Sequence, residues 1–115
     1  MCGDDVDQAT TDQSSASLFA PNAFNSAAWA RAYDANSPGG TTTDVPIFIY
    51  HGEADELVPV ALSATAAEKY CKLGATVSRK TYPGADHTSV VPQALLEVNS
   101  YLQARLSGQA APSTC

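Results

Sequence analysis

Three carboxylates and a histidine are the residues of this sequence best placed to do chemistry. Glu53, Asp55 and Glu56 follow directly on the apolar run Val45 to Tyr50, and His87 closes the turn Pro83-Gly84-Ala85-Asp86-His87. An acid beside an imidazole makes a base. The buried carboxylate fixes the ring tautomer and stabilises the imidazolium, and the free ring nitrogen takes the proton of a hydroxyl. Asp55 with His87 is the expected pair, provided that one helix and one strand lie between them, so that both leave the same edge of a sheet. Read plainly, Asp55 is a turn acid and His87 an exposed turn histidine. Glu53 and Glu56 read as solvated neighbours, and Asp86 as the residue that shapes the histidine turn, because adjacent side chains seldom face each other. A metal site from Glu53, Asp55, Glu56 and His87 is the weaker idea, since one histidine with flexible acids is a poor ligand set for zinc.

The elements that must position the pair can be read from periodicity and punctuation. Val45, Ile47, Phe48, Ile49 and Tyr50 form the nearly continuous apolar run of a strand covered on both faces, so a central strand is expected there. Pro46 sits among the strand's first residues and Gly52 breaks the extended chain where it leaves the sheet. The acids then lie past the carboxyl end of a strand, where open α/β sheets collect their ligands. Pro59 fits the first position of a helix over residues 60–73, with Leu62, Ala66, Tyr70 and Leu73 on one face and Gly74 closing it. Residues 76–82, TVSRKTY, are rich in β-formers but mixed in polarity, which predicts a strand near the sheet edge. Val91, Leu95, Val98, Leu102 and Leu106 mark one face of a last helix, opened by Pro92 and closed by Gly108. Upstream, the Ala-rich stretch with Leu18, Phe19, Phe24, Trp29 and Tyr33 predicts two short helices joined near residues 20–25, the second over residues 26–35. Asn36 to Thr43 is dense in turn formers, and the start, with Asp4, Asp5, Asp7 and Asp12, reads as exposed.

Composition bounds what such a chain does. At 115 residues and 44% apolar it is globular and at most one small domain. A net charge of −6 with six Lys and Arg argues against nucleic acid, which needs clustered cations. No stretch approaches the ~20 apolar residues of a membrane span, and Met1-Cys2-Gly3-Asp4-Asp5 has neither the basic start nor the apolar core of a signal peptide. Cys2, Cys71 and Cys115 fit no paired zinc or redox motif. A bridge between Cys71 and Cys115, pinning the tail to a helix, is the expectation; three unpaired thiols are the alternative, and Cys2 is left over.

The order of helical region, strand, acid, helix, strand, histidine and helix, with these residues, resembles the carboxyl-terminal third of an α/β-hydrolase, and within it the secretory lipases of fungi and actinobacteria. Gly52, Asp55, Val58 and Pro59 resemble that family's strand and acid loop, and Gly84-Ala85-Asp86-His87-Thr88 its histidine turn. Trp29, Asn36, Ser37 and Gly39 are similar to the run leading out of the lipase cap. The resemblance implies a partial α/β-hydrolase fold, with the last two parallel strands, their flanking helices and the exit of the cap region. Residues 1–44 would hold the acidic start and cap-exit helices, and residues 45–115 the C-terminal part of the core. Asp55 would be the triad acid and His87 the general base of a secreted triacylglycerol lipase or carboxylesterase. Acyl esters or triglycerides would be its substrate, with transient contact with a lipid surface and no cofactor.

The nucleophile elbow, Gly-x-Ser-x-Gly before the acid, is not present, and the oxyanion-hole loops are not identifiable. Ser63, Ser78, Ser89 and Ser100 lie on or beside helices and the edge strand; of these only Ser89 is near His87 in sequence. Two strands cannot build a two-sided sheet. The expectation is therefore a piece of a larger enzyme, associating with its missing N-terminal part or forming a homo-oligomer. The alternative is a non-catalytic, hydrolase-like module whose exposed strand edge pairs with itself or with another chain.

Overall fold

The computed structural model describes residue 20 and residues 22–115, and the chain divides between Asn36 and Ser37 into two compact units. In the first, a 3-10 turn, Ala23–Asn25, leads into helix α1, Ala27–Asn36. Ser26 starts α1 because its hydroxyl accepts the Trp29 amide at 3.2 Å, satisfying a donor that has no partner inside the helix. The rings of Phe24 and Trp29 meet at 5.6 Å. The earlier of the two helices expected upstream, the acidic start and Cys2 lie outside the described residues.

The second unit is built as strand, helix, strand, helix: β1 (Ile47–Gly52), α2 (Val60–Lys72), β2 (Val77–Tyr82) and α3 (Val90–Leu106). The strands pair in parallel, with Ile47 opposite Val77 and Gly52 opposite Tyr82. Alternation along each strand sorts their side chains onto two faces. Ile47, Ile49 and Val77 pack with Ala67, Tyr70 and Cys71 of α2. On the other face Phe48 stacks on Tyr101 of α3 with ring centres 5.0 Å apart, while Lys80 and Tyr82 both reach Glu97 of α3. The buried centre is made of small residues: Val77, Ala85 and Ala94 are fully enclosed.

Strand β1 departs from the sequence reading. It was expected as a central strand covered on both faces, and most of it is only half-buried. The reason is topological: among the described residues the sheet has two strands, so β1 has one partner. Val45, read as part of the run, stands before the strand and is 70% exposed. The helix limits follow from backbone chemistry. Pro59, with φ −55°, stands just before α2 as its N-cap, and Gly74, at φ 83°, closes it in the left-handed conformation that glycine adopts without strain. Helix α3 begins at Val90, two residues before Pro92. The imide of Pro92 falls in the first turn, where an amide has no intrahelical acceptor to lose. After Gly108 the tail returns to the sheet, and Cys115 is bridged to Cys71 with a Cα separation of 5.6 Å.

Candidate functional site

The loop between β1 and α2 and the turn between β2 and α3 both leave the carboxyl edge of the sheet. They are locked together by backbone bonds: the Glu53 amide donates to the Tyr82 carbonyl at 3.0 Å and the Ala54 amide to the Ala85 carbonyl at 2.9 Å. This close approach depends on Gly52. A Cβ there would stand 2.2 Å from the Ala85 carbonyl oxygen and 2.9 Å from that of Asp86, both backbone atoms that cannot swing aside. Gly52→Ala is expected to destabilise the fold by roughly 1–3 kcal/mol and to push the histidine turn away from the acid loop. Urea unfolding, with the His87 ring resonances followed by NMR, would check both effects; an unchanged midpoint and unchanged ring signals would contradict this.

Asp55 lies in that loop with its side chain only 4% exposed. Its Oδ1 accepts the amides of Leu57 at 3.0 Å and Val58 at 2.8 Å, so the carboxylate folds its own loop around itself, as short acidic side chains do in Asx turns. Oδ2 is left for histidine: the Nδ1–H of His87 donates to it at 2.9 Å. The residues expected as a pair from the sequence are thus in contact. Burial by itself pushes the Asp55 carboxyl up, but the Val58 amide, His87 and the Leu57 amide together outweigh it and hold the group at about 2. An ionised carboxylate on Nδ1 leaves Nε2 of His87 as the basic nitrogen, and the ring is 44% exposed.

Asp86 is turned away from this pair. Its Oδ1 accepts the amides of Thr88 at 3.0 Å and Ser89 at 2.7 Å and the Thr88 hydroxyl at 3.1 Å, and these donors hold it at about 2. It shapes the histidine turn. Glu53 accepts the Thr81 hydroxyl at 2.6 Å and Glu56 is exposed; neither touches His87. Among the described residues no serine hydroxyl reaches His87: Ser89 accepts the Asp86 amide at 2.9 Å, Ser63 donates to the Val60 carbonyl and accepts Arg79 Nε, and Ser100 bonds the Leu96 carbonyl. One contact was not anticipated. His51, at the end of β1, donates through Nε2 to the Val58 carbonyl at 3.0 Å, with the same nitrogen 3.1 Å from Asp55 Oδ2. No motif marks it, because its partner is a backbone carbonyl.

Both aspartates titrate lower in the folded chain than their ordinary value of 3.8. The unfolded chain therefore binds more protons than the folded one in that interval, so stability rises with pH there. The contribution is fully present above the ordinary value and is lost as pH falls towards the folded value, a window of roughly pH 5 to 2. Thermal melts across this window are expected to show a falling midpoint with a shallower slope in Asp86→Asn; equal slopes would contradict the assignment.

A sequence model described as phospholipase/carboxylesterase matches residues 8–106. Acyl-protein thioesterase 1 of Gibberella zeae is 38% identical over 73 residues, covering 64% of this chain and 31% of the thioesterase. A secreted triacylglycerol lipase of Malassezia globosa is 31% identical over 85 residues, 72% of this chain and 18% of the lipase. Another, from Malassezia furfur, is 44% identical over 41 residues, 36% of this chain and 8% of that lipase. This chain therefore spans less than a third of the length of these relatives. No solved structure matches.

Proposed function

Because this chain belongs to the phospholipase/carboxylesterase family of α/β-hydrolases, we propose that it supplies the acid and the base of a serine ester hydrolase, Asp55 and His87, within a secreted enzyme of triacylglycerol lipase type. The observation that carries the reading is the 2.9 Å bond from His87 Nδ1 to the enclosed carboxylate of Asp55 at the ends of neighbouring parallel strands. In this reading Nε2 of His87 takes the hydroxyl proton as the serine oxygen attacks the acyl carbonyl, and Asp55 stabilises the imidazolium that forms. The same proton then passes to the leaving alcohol, and the resulting acyl-enzyme is hydrolysed by water activated at the same nitrogen. The nucleophile this calls for is a serine outside the described residues, placed before the acid in chain order as the fold arranges its triads.

The test is intact-mass analysis after a fluorophosphonate probe, beside rates on a short p-nitrophenyl ester, a triacylglycerol emulsion and an S-acyl peptide. Any label is expected on a serine outside the described residues and before Asp55 in chain order, and labelling and turnover are expected to vanish in His87→Ala. Turnover that survives His87→Ala would sink the reading. Preference for the S-acyl peptide would keep the mechanism and move the substrate from oxygen esters to thioesters.

A second reading draws on the outer edge of β1, which has no strand beside it among the described residues, with Leu96 and Leu106 exposed on α3. An unpaired edge is a template for strand addition, and a non-catalytic pairing module would use it. That reading expects a dimer in sedimentation at micromolar concentration and no functional consequence of His87→Ala.

A further inference from the structure

His51 is the one histidine near the acid that the catalytic reading leaves without a task. Its side chain is 11% exposed, so the ring is held by what its nitrogens meet. The Val58 carbonyl can only accept, so Nε2 of His51 carries the proton and donates to it at 3.0 Å. That bond ties the far end of the acid loop to the end of β1. The two halves of Val58 are then both used: its amide donates to Asp55 Oδ1 at 2.8 Å and its carbonyl accepts from His51. The protonated Nε2 edge also stands 3.1 Å from Asp55 Oδ2, the oxygen on which His87 Nδ1 sits at 2.9 Å. The carboxylate is thus held by the loop whose far end His51 ties to β1, with Oδ1 on the Leu57 and Val58 amides and Oδ2 on His87.

We propose that His51 is a positioning residue: it clamps the loop Asp55 to Val58 to strand β1 so that Asp55 Oδ2 faces His87 Nδ1 and fixes one tautomer of His87. It does not touch the reacting atoms. The proposal rests on the reading of Asp55 and His87 as an acid and base pair. It makes a demand that mere packing does not: an amide donor of similar reach at position 51 should serve, and an aromatic ring of similar size without a donor should not.

The experiment is long-range nitrogen–proton NMR of the ¹⁵N-labelled chain, reading the His87 ring tautomer and the exchange of its Nδ1 proton. The wild type and His51→Gln are expected to show a single Nδ1–H tautomer with a protected proton. His51→Phe should show a mixture of tautomers and an Nδ1 proton that exchanges at least tenfold faster. Should His51→Phe fail to fold by circular dichroism, His51→Leu takes its place in the same measurement. Wild-type tautomer and exchange in the folded donorless variant, alongside clear disturbance in Asp55→Asn, would overturn the role of His51 alone. A His87 ring indifferent to Asp55→Asn would overturn the acid and base pair itself, and this proposal with it.

Discussion

With Asp55 and His87 acting as the proposed acid and base, Asp55→Asn is expected to lower kcat for ester hydrolysis about 10⁴-fold, with KM changed little. The size follows from what the carboxylate does in this geometry. Oδ2 receives the Nδ1 proton of His87 at 2.9 Å, so replacing that oxygen by an amide NH₂ presents a donor to a donor. The ring answers by moving its proton to Nε2, the nitrogen that has to be a base. The substitution keeps the shape, because Oδ1 still accepts the Leu57 and Val58 amides. The loss should therefore fall on the chemical step. His87→Ala should cost a comparable amount, and the double variant little more than either alone, since members of one catalytic unit do not contribute additively. Steady-state kinetics on a p-nitrophenyl ester and on an emulsified triglyceride separate the two constants. A rise in KM with kcat intact would assign Asp55 to substrate binding instead.

That pair could be found from sequence because each member sits just beyond an expected strand, the first well marked and the second more weakly. The apolar run into Gly52 and the TVSRKTY segment before Pro83 announce where the chain leaves the sheet, and a parallel pair carries both exits to one edge. Asp86 was legible for a different reason: beside His87 in sequence it was poorly placed to face that ring, and the structure turns its Oδ1 to Thr88 and Ser89 instead. What could not be read depends on partners without a side-chain signature. His51 is hidden inside a strand that looks apolar, and what it meets is the carbonyl of Val58. Gly52 was read as a strand breaker, yet its larger role is to leave room for the Ala85 carbonyl, a neighbour fixed only when the two loops close. The coverage of β1 was overread, because an apolar run reports what a strand is suited to pack against and not how many strands lie beside it.

Reduction of the bridge between Cys71 and Cys115 is expected to destabilise the second unit by about 4 kcal/mol, the loop-closure value for a separation of 44 residues. A domain of this size has only roughly 4–12 kcal/mol in all, so the reduced chain should melt roughly 15 °C or more below the oxidised one. The consequence reaches beyond chain entropy because of where the tail lies. The Thr114 amide donates to the Val77 carbonyl at 2.7 Å, and the Arg79 amide donates to the Thr114 hydroxyl at 3.0 Å. Along β2 the alternate residues Val77 and Arg79 turn these groups away from β1, so the tail caps the outer edge of the sheet while the bridge beside it holds the tail down. Without the bridge a few exposed hydrogen bonds must hold that cover alone, and a freed edge invites strand addition from another chain. Calorimetry with and without reductant, and on a Cys71→Ala, Cys115→Ala double variant, measures the first effect; light scattering of the reduced chain near its midpoint measures the second. If the melting temperature holds and scattering rises, the bridge guards the edge without carrying the fold. If the temperature falls with no rise in scattering, the Thr114 contacts keep the edge covered until the whole unit opens, and the contribution of the bridge is to the unfolded chain, where loop closure acts.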